Sequence, residues 1–211
     1  MKKIIITALV LLFGLAACTS TQVTSSWKAS NANLSSSYNK IMVLGIIKQK
    51  DRSLREELEN QLVSELKEKG YDAHSALQEY GPKAFDRLSE EAIAERMKSD
   101  GFDAVLTTVL LDKSKEQNYT PGQVNYQPVG VYYNRFGRYY TTVYDRVYTP
   151  GYYTSSTNFF LESNLYDTRT GDLVYSVQTK SFDPSSPAVL GDEYAKAIIN
   201  DMKKNGLIAK R

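Results

Sequence analysis

One pattern, a lysine three residues before Gly-aromatic-Asp-Ala, occurs twice in this chain and constrains the fold more than any other feature. "KEKGYDA" ends at Ala73, and "KSDGFDA" ends at Ala104. The first closes a segment in which Leu54, Leu58, Leu62 and Leu66 recur every four residues, so they line one face of a helix. The second closes "SEEAIAERMKS", where Ser89 suits an N-cap and Glu90 and Glu91 suit the positive end of a helix. Gly70 and Gly101 then stand where a helix commonly stops in a left-handed residue. Each phrase leads into an expected strand, and "KIMVLGII" before the first helix has the length of a buried strand. The order β-α-β-α-β argues for an α/β sheet with some parallel pairing. Ser53 and Glu56 have capping-box spacing at the start of the first helix.

The third strand is expected over Ala104–Leu111. About forty residues without helix signals follow, too many for an ordinary loop. Then "NFFLESNLYDTRTGDLVYSVQTKSF" reads as a hairpin turned by "TRTGD". Phe159, Leu161 and Leu165 mark one face of its first strand, and Leu173, Tyr175 and Val177 one face of its second. "GDEYAKAIINDMKKNG" closes the pattern as an amphipathic helix using Tyr194, Ala195, Ile198, Ile199 and Met202. The expected class is α/β (α+β): a mixed sheet, a tyrosine-rich hairpin insertion, a second hairpin and a C-terminal helix.

Ten of the 16 tyrosines fall between Tyr119 and Tyr153. "NRFG" can turn a hairpin there. Beyond it Tyr140, Tyr144, Arg146 and Tyr148 share one strand face by alternation, with Tyr132 and Tyr133 on the preceding strand. Tyrosine combines apolar area, stiffness and a hydroxyl, a mixture suited to interfaces. It also stacks on sugars, and it has high β-propensity with no partner at all. Packing, a protein or self-assembly surface, and a glycan surface are all open readings of these six residues.

The N-terminal stretch is of another kind. Lys2 and Lys3 precede an apolar run from Ile4 to Leu15 and then "LAAC". A basic start, a short apolar run and small residues before a cut form a signal peptide, expected over 1–17. "LAAC" resembles a bacterial lipobox. That resemblance implies a diacylglycerol thioether on Cys18, cleavage before it and acylation of the new amine. Cys18 is the one cysteine of the 211 residues, so no internal disulfide can form. The 26 basic residues exceed the 24 acidic ones by two, and Lys2 and Lys3 account for the excess. Residues 18–211 are formally neutral, which removes the electrostatic footprint of a nucleic-acid binder. The Ser/Thr/Asn-rich stretch 18–39 is expected to be a flexible lipidated tether, with Trp27 either folded onto the domain or anchored at the lipid interface. A single α/β domain is expected over 40–211, with the tyrosine-rich insertion at 116–155.

Taken with "SSWK", "KIMVLGI", "GYDA", "GFDAVL" and "LYDTRTGDLVYS", the lipobox makes the chain similar to small envelope lipoproteins of Gram-negative bacteria. Its α/β arrangement resembles the amino-terminal domain of the TolB protein and the lipoproteins of curli and exopolysaccharide secretion. The resemblance implies an assembly or secretion accessory that meets other envelope proteins or itself. Thr19, in place of an aspartate after the lipidated cysteine, implies the outer membrane, facing the periplasm.

Signals of chemistry are few. His74 is the one histidine, and no G-x-S-x-G, H-E-x-x-H or phosphate-cradling glycine loop accompanies it. A zinc site has too few ligands of the usual kind. Asp72 and Asp103 hold equivalent places in the repeated phrase. They could form an acid–base pair, or cap backbone N–H groups where helix turns to strand. The charges of Asp51–Lys69 read as a solvated helix face with i,i+4 companions. The expectation is a non-enzymatic protein with no cofactor and no metal, held on a membrane through Cys18 and binding an envelope protein, its own copies or a glycan; an enzyme with an unrecognised site is the remaining alternative.

Overall fold

The computed structural model describes residues 20–30, 38–83, 85, 89–121, 123–133 and 140–208. The described residues form two units, one of those up to Ser114 together with Asn158 onward, the other Lys115–Thr157.

The first unit is built on a six-stranded mixed sheet in the order β1-β8-β7-β4-β2-β3. Its strands are β1 (Thr21–Lys28), β2 (Lys40–Ile46), β3 (Asp72–Ser75), β4 (Ala104–Thr120), β7 (Tyr152–Asp167) and β8 (Leu173–Phe182). β4 and β7 run on into the second unit. β2 pairs in parallel with both β3 and β4, as the β-α-β-α-β order requires. β8 pairs antiparallel with β7 on one side and β1 on the other.

The helices are α1 (Arg52–Glu68), the short α2 (Ala76–Tyr80), α3 (Glu90–Ser99) and α4 (Pro187–Lys204). Strand alternation divides β2 between two cores. Ile41 and Val43 join the leucine stripe of α1 and the Tyr194–Met202 face of α4. Met42 and Leu44 join Ala76, Met97 and Phe102 on the other face. The parallel strands are thus covered on both faces, as parallel strands generally are.

The repeated phrase is a repeated helix stop. Gly70 and Gly101 have φ of 85° and 77°. Tyr71 and Phe102 each reach back with their N–H to a carbonyl five residues earlier, Leu66 and Met97. Gly206, at φ 66°, ends α4 in the same way with Leu207 N–H on Met202. These are Schellman closures, in which glycine avoids the Cβ cost of the left-handed region. Asp103 then settles the role of its carboxylate: it accepts from the N–H groups of Asn39 (2.8 Å) and Lys40 (2.9 Å) and so braces the start of β2. Asp72 instead pairs with His74 Nε2 at 2.9 Å.

Several expectations need correction. Ser53 does not cap α1: the N-cap is Asp51, without a side-chain bond, because a 3-10 turn over Gln49–Asp51 leads directly into the helix. α4 begins at Pro187, capped by the Ser186 hydroxyl on Val189 N–H, several residues before the expected start. Val174, not Leu173, joins Tyr175 in the core, because a register shift lies between Leu165 and Tyr166 of the partner strand.

The largest correction concerns the expected tether over 18–39. Thr21–Lys28 is an edge strand of the sheet. Its polar side chains find partners on α4 and β8. Ser20 and Thr21 bond Glu193, Thr21 shares a hydrogen bond with Ser181, and Ser26 donates to Asp201 at 2.6 Å. Lys28 Nζ donates to the Asn205 carbonyl at the end of α4. Low hydrophobicity did not prevent folding here because the ladder and these bonds supply what apolar burial does not. Trp27 is half exposed and sits six residues along the strand from Thr21.

The second unit contains β5 (Gln123–Tyr133) and β6 (Tyr140–Thr149), paired antiparallel as a separate two-stranded sheet. Tyr133 pairs with Tyr140, Tyr132 with Thr141, Pro128 with Tyr144, Tyr126 with Arg146 and Val124 with Tyr148. The register shifts between Pro128 and Gly130, next to a residue with no N–H to give the ladder. The "NRFG" turn lies outside the described residues, as do the side chains of Tyr132, Tyr133, Tyr140, Tyr144, Arg146 and Tyr148.

Candidate functional site

Parallel strands end together, and the crevice beyond their carboxyl ends is where open α/β sheets bind ligands. In this protein the carboxyl end of β2 borders such a crevice, while the neighbouring β4 continues to Thr120. A cleft of about 730 Å³ opens there. One wall is the end of β2 and the link to α1, from Leu44 to Asp51, with Arg55 in the first turn of that helix. A second is Val109–Lys113 on β4. Pro82, Phe85 and Ile93 close the third side. Ile46 and Leu111 are large apolar side chains left more than half exposed.

The cations of the cleft have different settings. Lys48 and Lys50 are exposed. Lys113 Nζ is 3.4 Å from Asp51 Oδ1 and lies over the Phe159 ring at 5.1 Å. The Arg55 Nε donates to Glu59 at 2.9 Å. The result is an apolar trough whose rim carries Lys48, Lys50 and Lys113 together with Asp51 and Asp112.

Glu59 holds the floor of this cleft in place. It is fully buried, which overturns the reading of the helix charges as a uniformly solvated face. Its Oε1 accepts from Gly45 N–H (2.8 Å) and Arg55, and its Oε2 from the Ser75 hydroxyl (2.6 Å) and Leu77 N–H (2.8 Å). One carboxylate therefore ties the end of β2, the start of α1, the end of β3 and the start of α2. Gly45 permits this approach, because a Cβ there would lie 2.7 Å from Arg55 Cγ and 3.0 Å from Glu59 Oε1.

His74 lies elsewhere, between Asp72 and Glu79, with its ring edge-on to Phe102. Among the described residues no group of three or more His, Cys, Asp or Glu side chains could hold a metal. Cys18 lies outside the described residues. Within the second unit Tyr119 and Tyr153 are exposed, with ring centroids 4.8 Å apart.

A second polar cluster has a measurable consequence. Tyr38 donates to Asp167 at 2.7 Å, and Arg169 bonds the same carboxylate at 2.7 Å while its N–H closes the turn on Oδ1. Burial alone would raise the Asp167 carboxyl. Arg169 and Tyr38 outweigh that and hold it at about 2, while burial and Asp167 push the Tyr38 hydroxyl up to about 12. A depressed carboxyl stabilises the fold above its unfolded value of 3.8, and this contribution disappears as pH falls toward 2. Asp167→Asn should therefore cost about 2 kcal/mol at neutral pH and flatten the acid limb of stability between about pH 4 and pH 2. Urea titrations across that range measure both effects.

No known protein family and no curated protein matches the chain. Among solved structures it is similar in fold to the PelC dodecamer from Paraburkholderia phytofirmans, at 12% identity and a TM-score of 0.44, over 90% of this chain and 99% of that one. Lipoprotein GNA1162 from Neisseria meningitidis matches at 16% identity and a TM-score of 0.41, over 79% of this chain and 99% of that one. TolB from Acinetobacter baumannii matches at 11% identity and 0.36, over 90% of this chain and 32% of that one. Each is a distant likeness of backbone shape.

Proposed function

We propose that this chain is a non-enzymatic accessory of the bacterial envelope. In this reading a lipid on Cys18 holds it at the periplasmic face of the outer membrane, and it works by binding another envelope protein or its own copies. The observation that carries the binding role is the composition of the cleft: exposed Ile46 and Leu111 beside Lys48, Lys50 and Lys113. Apolar side chains held open on a rigid sheet end favour a partner, since burying them yields roughly 25 cal/mol per Å². The lysines set its orientation and favour an acidic segment.

Crosslinking in membranes tests this. Wild type should yield a defined protein adduct, and Ile46→Asp/Leu111→Asp should lose it. Both side chains are exposed, so stability should move by only about 0.5 kcal/mol. Absence of an adduct with the wild type, or its survival in the double variant, would remove the cleft from the function. The exposed Tyr119–Tyr153 pair favours a second reading, a glycan-binding surface. Sedimentation with purified sacculi by wild type, lost in Tyr119→Ala/Tyr153→Ala, would support that reading instead.

A further inference from the structure

We infer that the corner formed by Ser20, Phe182 and Val189 is a bilayer-contact surface, seated on the lipid into which Cys18 is anchored. The inference rests on the lipidation of Cys18 proposed above and adds to it a defined orientation of the first unit. Its basis is the shortness of the free chain. Ser20 is pinned: its N–H and hydroxyl both donate to Glu193 (2.8 and 2.6 Å), and its carbonyl accepts from Phe182 N–H at 3.0 Å. Cys18 is two residues upstream, so its Cα lies within about 7 Å of that of Ser20 however the link is arranged. A lipidated Cys18 leaves no slack for the unit to stand off from the membrane, and the surface around Ser20 must meet the headgroups.

That surface has the composition for it. Phe182 ends β8 and is 53% exposed, and Val189 in the first turn of α4 is 38% exposed. Val189 and Glu193 are four residues apart on α4 and so share a helix face. The residue that holds Ser20 therefore places Val189 next to it. Pro187 and Ala188 are also exposed, and from Phe182 to Gly191 the one charged residue is Asp183. The Glu193 carboxylate is engaged by Ser20 and Thr21, and Lys196 pairs with Asp192 at 2.7 Å. Apolar side chains on a surface short of charge enter the interfacial layer of a bilayer, the more so beside acyl chains already inserted. Trp27 lies about 20 Å farther along β1, at 3.3 Å per residue, and takes no part in this contact.

The test uses the full lipidated protein in vesicles of phosphatidylethanolamine and phosphatidylglycerol whose acyl chains are brominated, with unbrominated vesicles as reference. Trp27 is the one tryptophan, so wild type reports on β1, and Phe182→Trp/Trp27→Phe reports on the corner. Emission from the corner probe should fall by about half, as for an aromatic residue in the interfacial belt, and wild-type emission should stay unchanged. Val189→Trp/Trp27→Phe is the second probe and should behave like the first. Corner probes that escape quenching, on protein whose mass confirms the lipid at Cys18, overturn the orientation and leave the anchor standing. A corner buried in a protein interface gives that same unquenched result. A mass without lipid overturns the anchor, and the orientation with it.

Discussion

Replacing Glu59 with alanine will lower the stability of the first unit by about 3–5 kcal/mol, the range for removing one partner of a buried charge pair. The geometry explains why the cost is large. Four donors converge on this carboxylate: Arg55, the Ser75 hydroxyl, and the N–H groups of Gly45 and Leu77. The Glu59 side chain and its residue are fully buried, so water cannot replace it without opening the cleft floor. Each backbone N–H left unpaired costs about 1–3 kcal/mol of desolvation. Glu59→Gln separates charge from shape. Its amide oxygen can serve the donors on one side, but its NH₂ faces donors on the other, so it should recover only part of the loss. Gly45→Ala approaches the same site from the opposite direction. Its Cβ displaces Arg55 and the carboxylate, at a cost of about 1–3 kcal/mol as for other overpacked sites. Thermal melts and urea titrations should rank the variants Glu59→Ala, Glu59→Gln, Gly45→Ala from worst to mildest. A Glu59→Ala protein as stable as wild type would show that the carboxylate does not organise the cleft.

The same residue shows where sequence reasoning stopped. Leu54, Leu58, Leu62 and Leu66 were legible because their period is that of a helix face. Glu59 sits among five other acids of Asp51–Glu68, and composition cannot separate the one that turns inward. Its place beside Leu58 and three residues before Leu62 was the available signal. The repeated glycine–aromatic–aspartate–alanine phrase gave the parallel strands directly, because a Schellman closure needs that glycine whatever the tertiary context. β4 and β7 were legible only over their apolar halves. Their extensions into the second unit, "KEQNYT" and "YYTSST", are exposed along most of their length and carry no inward-facing period to read. The cleft was missed for a related reason: it is assembled from the end of β2, the middle of β4 and residues near α2 and α3, and no local pattern announces it.

A fragment that begins at Asn31, which keeps the buried Tyr38 and its bond to Asp167, will be much less stable than one that begins at Thr19, and it will associate in solution. A floppy tether over 18–39 would make the two fragments equivalent, so the comparison isolates the role of β1. The strand covers one edge of β8 from Thr21 against Ser181 to Lys28 against Tyr175. Removing it exposes that edge, and an open edge is a template for pairing with another chain. It also strips side-chain hydrogen bonds, among them Ser20–Glu193, Thr21–Ser181, Ser26–Asp201 and Lys28–Asn205, worth about 1 kcal/mol net apiece. The loss should therefore reach about 4 kcal/mol, before the ladder itself is counted. Asp201 still receives the Tyr175 hydroxyl at 2.7 Å, so the buried end of that network survives and the fragment should retain its sheet by circular dichroism. Urea midpoints and light scattering on the two fragments decide the matter. Equal midpoints with both fragments monomeric would return residues 21–28 to the status of a tether. That result would also restore the slack that brings Ser20 out of contact with the bilayer.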